Sequence, residues 1–89
     1  MKAESLRLEN VEFVPATLEP GVLYVSVRFG TAIHLCACGC DTHTVTRLKP
    51  HWEDGWTLTE GPTLRPSVGN QNLPCKSHYY ITNGLIEWL

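Results

Sequence analysis

The segment His34-Leu-Cys36-Ala-Cys38-Gly-Cys40 places three of the four cysteines of this 89-residue chain at alternate positions within five residues. Side chains two apart on a straight strand stand in a row and cannot surround an ion. Gly39 lets the backbone turn sharply, so that successive sulfurs converge on one point. Three soft thiolates from a tight turn, with a fourth brought from a distant loop by Cys75, meet the tetrahedral demand of zinc, and four cysteines are a common closed structural set. The predicted zinc ligands are Cys36, Cys38, Cys40 and Cys75. A disulfide framework fits less well: cysteines two apart do not readily pair with each other, and one bridge to Cys75 leaves two thiols over. Imidazoles compete for the fourth position, since Cys75-Lys-Ser-His78 offers both ligand types and His34 and His43 flank the turn.

A serine and a histidine offer a second chemistry. Ser77 and His78 are adjacent, so in an extended chain their side chains leave on opposite faces and cannot act on each other. Ser67 is better placed: it follows Pro66, which stiffens the backbone, and opens the loop that returns to Cys75, so a metal fixing Cys75 also fixes His78 three residues on. A hydroxyl beside an imidazole is the minimal activated nucleophile, improved by a third group that orients the ring. Glu87, Glu60, Asp54 or a backbone carbonyl are candidates for that group. On spacing alone the commoner outcome is a hydroxyl that caps a turn and a histidine that packs or ligates.

The elements that must position these residues read as β-structure throughout. Residues 5–14 alternate apolar and polar with a phase slip at Asn10, which predicts one bent strand or two short ones. Pro15 and Glu19-Pro20-Gly21 punctuate a loop, and residues 22–29 are dense in β-formers and predict a strand. Residues 32–35 run into the cysteine turn and residues 43–48 lead out of it, a hairpin whose tip zinc would hold. Short strands are expected at 56–59 and 63–65, a loop at 66–74, and a final hairpin of residues 78–82 and 85–89 joined by the Asn83-Gly84 dipeptide of a type I′ turn. No stretch carries a sustained helical period. The expected fold is mainly β, a small zinc-stapled sandwich or open barrel of roughly seven or eight short strands, one domain over residues 1–89.

Composition narrows the function classes. At this length folding buries only about 60 to 65 % of the unfolded surface, and a metal staple is a frequent supplement. Hydrophobic content of 43 % with 18 % charged residues is that of a folding globule. Seven basic and nine acidic residues are scattered without a run of like charge, so the footprint of a nucleic-acid binder is missing. The amino-terminal residues carry no apolar segment of a signal peptide and nothing approaches a membrane span, which points to the cytoplasm, where a reducing medium favours metal over disulfide.

Together the motifs resemble a known family. Cys36-x-Cys-Gly-Cys40, Trp52, Leu64-x-Pro-Ser67-Val68, Cys75-x-Ser-His78-Tyr and Gly84-x-Ile-x-Trp88 are similar, over roughly residues 32–89, to a bacterial family of small domains of unknown function. Typical members of that family read Cys-Pro-Cys-Gly-Cys, Pro-Ser-Ile and Cys-x-Ser-His-Phe. Ala37, Val68 and Tyr79 depart from that pattern, and none removes a ligand or nucleophile. Members are often encoded beside bacterial ubiquitin-like proteins and their activating and conjugating enzymes, systems that need a peptidase to expose a carboxyl terminus or remove a conjugate. The resemblance implies Ser67 as nucleophile, His78 as general base, the four cysteines as structural zinc ligands and the tail of a ubiquitin-like protein as substrate.

Other function classes make different demands. A non-catalytic zinc adaptor that docks a ubiquitin-like protein or its enzymes needs neither Ser67 nor His78. A Rieske-like iron-sulfur site would use Cys75-x-x-His78 but wants Cys-x-His in its first half, where this chain has His34-x-Cys36. A catalytic zinc with an open position would draw on His43 and His51, whose spacing fits no motif.

Overall fold

Alternation of inward apolar and outward polar side chains sorts most of the chain into strands. The computed structural model, which describes residues 4–40, 42–69 and 78–89, contains eight of them in two four-stranded sheets. The first sheet holds β1 (Arg7–Asn10), β2 (Val22–Ser26), β3 (Thr31–Leu35) and β4 (His43–Arg47), and the second holds β5 (Thr57–Thr59), β6 (Thr63–Gly69), β7 (His78–Thr82) and β8 (Leu85–Trp88). Spatial order follows chain order in both. All pairings are antiparallel except β1 with β2, which is parallel and needs the longer crossover of residues 11–21. Among the described residues there is no helix, and none is long and apolar enough to cross a membrane.

The core lies between the sheets. Leu23, Val25, Ala32, Leu48, Leu64, Val68, Tyr79 and Ile81 pack there with Cys36 and Ala37. Each large aliphatic side chain so buried contributes about 1.5 to 3 kcal/mol against the entropy of ordering the chain. β2 is buried on both faces, because the crossover loop lays Leu18 over Val22 and Tyr24, and the Tyr24 hydroxyl accepts a bond from the Glu19 N–H at 3.0 Å. Backbone bridges join the sheets at both edges: Leu48 pairs with Trp56, and Ser5 pairs with Leu85. The result lies between the two expected architectures, a sandwich whose edges are stitched toward a barrel.

Asn83 and Gly84 have φ of 50° and 79°, as a type I′ turn requires. The turn also docks on the first sheet: the Leu6 N–H donates to the Gly84 carbonyl at 2.6 Å, and a Cβ at Gly84 would stand 2.9 Å from the Leu6 carbonyl oxygen.

Three elements differ from the reading of the sequence. Residues 5–14 hold one strand, which ends at Asn10. The strand expected over 22–29 stops at Ser26, whose buried hydroxyl bonds the Glu12 carbonyl at 2.9 Å and accepts from the Phe29 N–H at 3.4 Å, drawing the next residues into a turn. Residues 66–69, expected as loop, continue β6. Pro66 lacks a ladder donor and sits within a register shift between Leu64 and Val68, so the strand survives as a bulge. Residues 70–74 of the expected loop lie outside the described residues.

Candidate active site and metal centre

The cysteine turn caps the β3/β4 hairpin. Leu35 pairs with His43, the Cys36 N–H donates to the Thr42 carbonyl at 2.8 Å, and the Gly39 N–H donates back to the Cys36 carbonyl at 3.1 Å. Gly39 has φ of 90°, a conformation that side chains resist, and here the glycine makes the turn possible. Cys36 is buried, Cys38 half-buried and Cys40 exposed, and their sulfurs lie within 4.8 Å of one another. Sulfurs bound at about 2.3 Å to a tetrahedral zinc stand about 3.8 Å apart. The group therefore fits a soft tetrahedral metal with little movement. The Cys36 and Cys38 sulfurs, 3.4 Å apart, are not bonded as a disulfide. Cys75, the expected fourth ligand, and Ser77 lie outside the described residues.

Neither flanking histidine joins this group. His43 is exposed at the head of β4, whereas His34 is fully buried, its Nε2 lying 2.8 Å from the Tyr79 hydroxyl. Burial lowers its pKa to about 4, so the imidazole is neutral at physiological pH.

On the other sheet, β6 and β7 bring Ser67 and His78 together. The Ser67 Oγ stands 2.6 Å from His78 Nε2, both residues being half-buried. The register explains this contact. Gly69 pairs directly with His78, and Ser67, two residues back along β6, shares the face of Gly69 and meets the ring on the diagonal. A Cβ at Gly69 would lie 3.3 Å from His78 Cδ2, so the missing side chain is what lets the imidazole lean across β6 toward the hydroxyl. Trp56 holds the other end of the serine, its indole N–H donating to the Ser67 carbonyl at 3.2 Å. Neither Gly69 nor Trp56 was recognisable as part of the site from the sequence, because their roles exist only once β5, β6 and β7 are aligned. The sequence placed Ser67 across a loop from His78; it lies across a strand pair.

This face of the second sheet points away from the core. Tyr80 shares it with His78, carries the Arg65 guanidinium 4.6 Å from its ring centre, and pairs with Glu87 on β8, which puts a carboxylate on the same face one strand beyond His78. Glu60 and Asp54 lie in turns. A hydroxyl at hydrogen-bond distance from an imidazole nitrogen can be deprotonated as it attacks an electrophilic carbonyl, which is the chemistry of acyl transfer.

Residues 10–89 of the chain match the model of a family described as Bacterial ubiquitination-like system serine protease (BubE). No curated protein and no solved structure matches the chain.

Proposed function

The chain belongs to the bacterial ubiquitination-like system serine protease family, and we propose that it is a zinc-stabilised peptidase that cleaves after the carboxyl terminus of a ubiquitin-like protein, in maturation or in removal of a conjugate. The observation that carries the reading is the 2.6 Å approach of Ser67 Oγ to His78 Nε2 on an outward face, where an extended peptide can reach it.

In this scheme Ser67 Oγ attacks the scissile carbonyl carbon as His78 Nε2 takes the hydroxyl proton. The proton passes to the departing amine as the C–N bond breaks, leaving an ester on Ser67. Water, deprotonated by the same nitrogen, then hydrolyses the ester and restores the serine. Gly69 and Trp56 keep the two groups in register. The tail binds extended, as an added strand, the mode open to a domain made of short sheets. Cys36, Cys38 and Cys40, with Cys75, hold zinc. A closed thiolate site supplies folding free energy and leaves the reacting bond to the protein's own groups.

The test is cleavage of a ubiquitin-like protein carrying a carboxyl-terminal extension, compared among wild type, Ser67→Ala and His78→Ala, with fluorophosphonate labelling as a measure of the nucleophile that does not depend on the substrate. Both variants should lose at least about 10³-fold in rate, because members of such a unit retain little activity alone. Labelling should vanish in Ser67→Ala. Normal cleavage by Ser67→Ala would place the nucleophile elsewhere. Tight binding of the ubiquitin-like protein without cleavage by wild type would make the domain an adaptor.

A further inference from the structure

We propose that Tyr79 is an outer-sphere partner of the cysteine site, its hydroxyl donating to the Cys36 sulfur and so tying the strand that carries His78 to the turn that carries the thiols. The inference rests on reading the three cysteines as metal ligands and adds a positioning residue that no cysteine pattern reveals.

Strand alternation sets the arrangement up. His78 points outward to Ser67, so Tyr79, the next residue, points inward, where its fully buried ring packs among Cys36, Ala37 and Val68. Its hydroxyl meets three groups of the first sheet. His34 Nε2 lies 2.8 Å away, the Ala37 N–H donates to it at 3.3 Å, and it is hydrogen-bonded to Cys36.

The donors around this hydroxyl set the direction of its own bond. The Ala37 N–H can only donate. The other nitrogen of His34, Nδ1, is buried with no partner among the described residues. A buried N–H without an acceptor is rarer than an acceptor without a donor, so the proton of His34 sits on Nε2 and points at the tyrosine. The Tyr79 oxygen then receives two donors, and its own proton is left for the Cys36 sulfur. A thiolate so supported is a better-oriented and less reactive metal ligand, in the way that outer-shell partners tune metal sites generally.

Metal-stripped protein titrated with cobalt(II), against a competing chelator, tests the proposal. Tyr79→Phe keeps the ring that fills the core and removes only the hydroxyl. It should bind cobalt about tenfold or more weakly than wild type, the range for loss of an outer-shell partner. Its thiolate-to-cobalt charge-transfer band should move to longer wavelength, because a sulfur relieved of a hydrogen bond gives up its electron more easily. A folded Tyr79→Phe protein with wild-type affinity and an unshifted band overturns the role of Tyr79 while leaving the cysteine site standing. Failure of wild type to take up cobalt overturns both. A second measurement needs no variant: nitrogen NMR of wild type should find the His34 proton on Nε2, and a proton on Nδ1 would send the tyrosine proton to His34 and overturn the proposal.

Discussion

The cysteine turn and the face that bears Ser67 and His78 are built by opposite strategies. Cys36, Cys38 and Cys40 come from one hairpin tip, their convergence fixed by Gly39 and two backbone bonds inside the same seven residues. Ser67 and His78 belong to different strands, and their approach depends on the β6/β7 register, on a bulge at Pro66 and on an absent side chain at Gly69. A local site tolerates change elsewhere in the fold, whereas a register-dependent site is lost by small displacements. In this protein the part assigned to structure is local and the part assigned to chemistry is not. Tyr79 bridges the two.

The contrast is sharpest in His78→Ala. Cleavage should fall by at least about 10³-fold while metal content and melting temperature stay at their wild-type values, measured by elemental analysis and a thermal melt. Loss of metal from this variant would make His78 a ligand and erase the distinction between the regions. Cys38→Ser tests the other side. It should release the metal and cost about 4 kcal/mol or more of stability, the range in which loss of a bound metal falls, because metal affinity at such sites is folding free energy. A melting curve like that of wild type would remove the cysteines from the stability of the fold.

Substitution at Gly69 should damage chemistry without damaging the fold. Gly69→Ala puts a methyl 3.3 Å from His78 Cδ2 and displaces the ring by a few tenths of an ångström, and Gly69→Val displaces it further. We expect about tenfold and about 100-fold losses in kcat, in keeping with the steep dependence of such reactions on placement. Equal activity in all three proteins would show that the ring needs no such clearance. The smallest effect belongs to Trp56→Phe, which deletes the indole bond to the Ser67 carbonyl. About 1 kcal/mol of stability and a few-fold in kcat should be lost, read from denaturant unfolding and steady-state rates. A variant altered in neither would make that bond incidental.

Much of this protein is legible in its sequence because it is encoded over short spans. Alternating side chains give the all-β class, Asn83-Gly84 gives the last hairpin, and three cysteines around Gly39 give a sulfur cluster at a hairpin tip. In each case the residues that decide the structure lie within a few positions of one another, and backbone preference alone brings them together. Tertiary structure decided the rest. Residues 66–69 read as loop because Pro66 and Gly69 are poor strand formers in isolation, yet pairing with β7 makes them strand. His34 reads as a flanking ligand, and packing turns it inward to Tyr79, a residue 45 positions away. The approach of Ser67 to His78 has the same origin. No local pattern records which residue of β6 will lie opposite which residue of β7, so the contact exists only after the sheets have closed and the core has fixed the register.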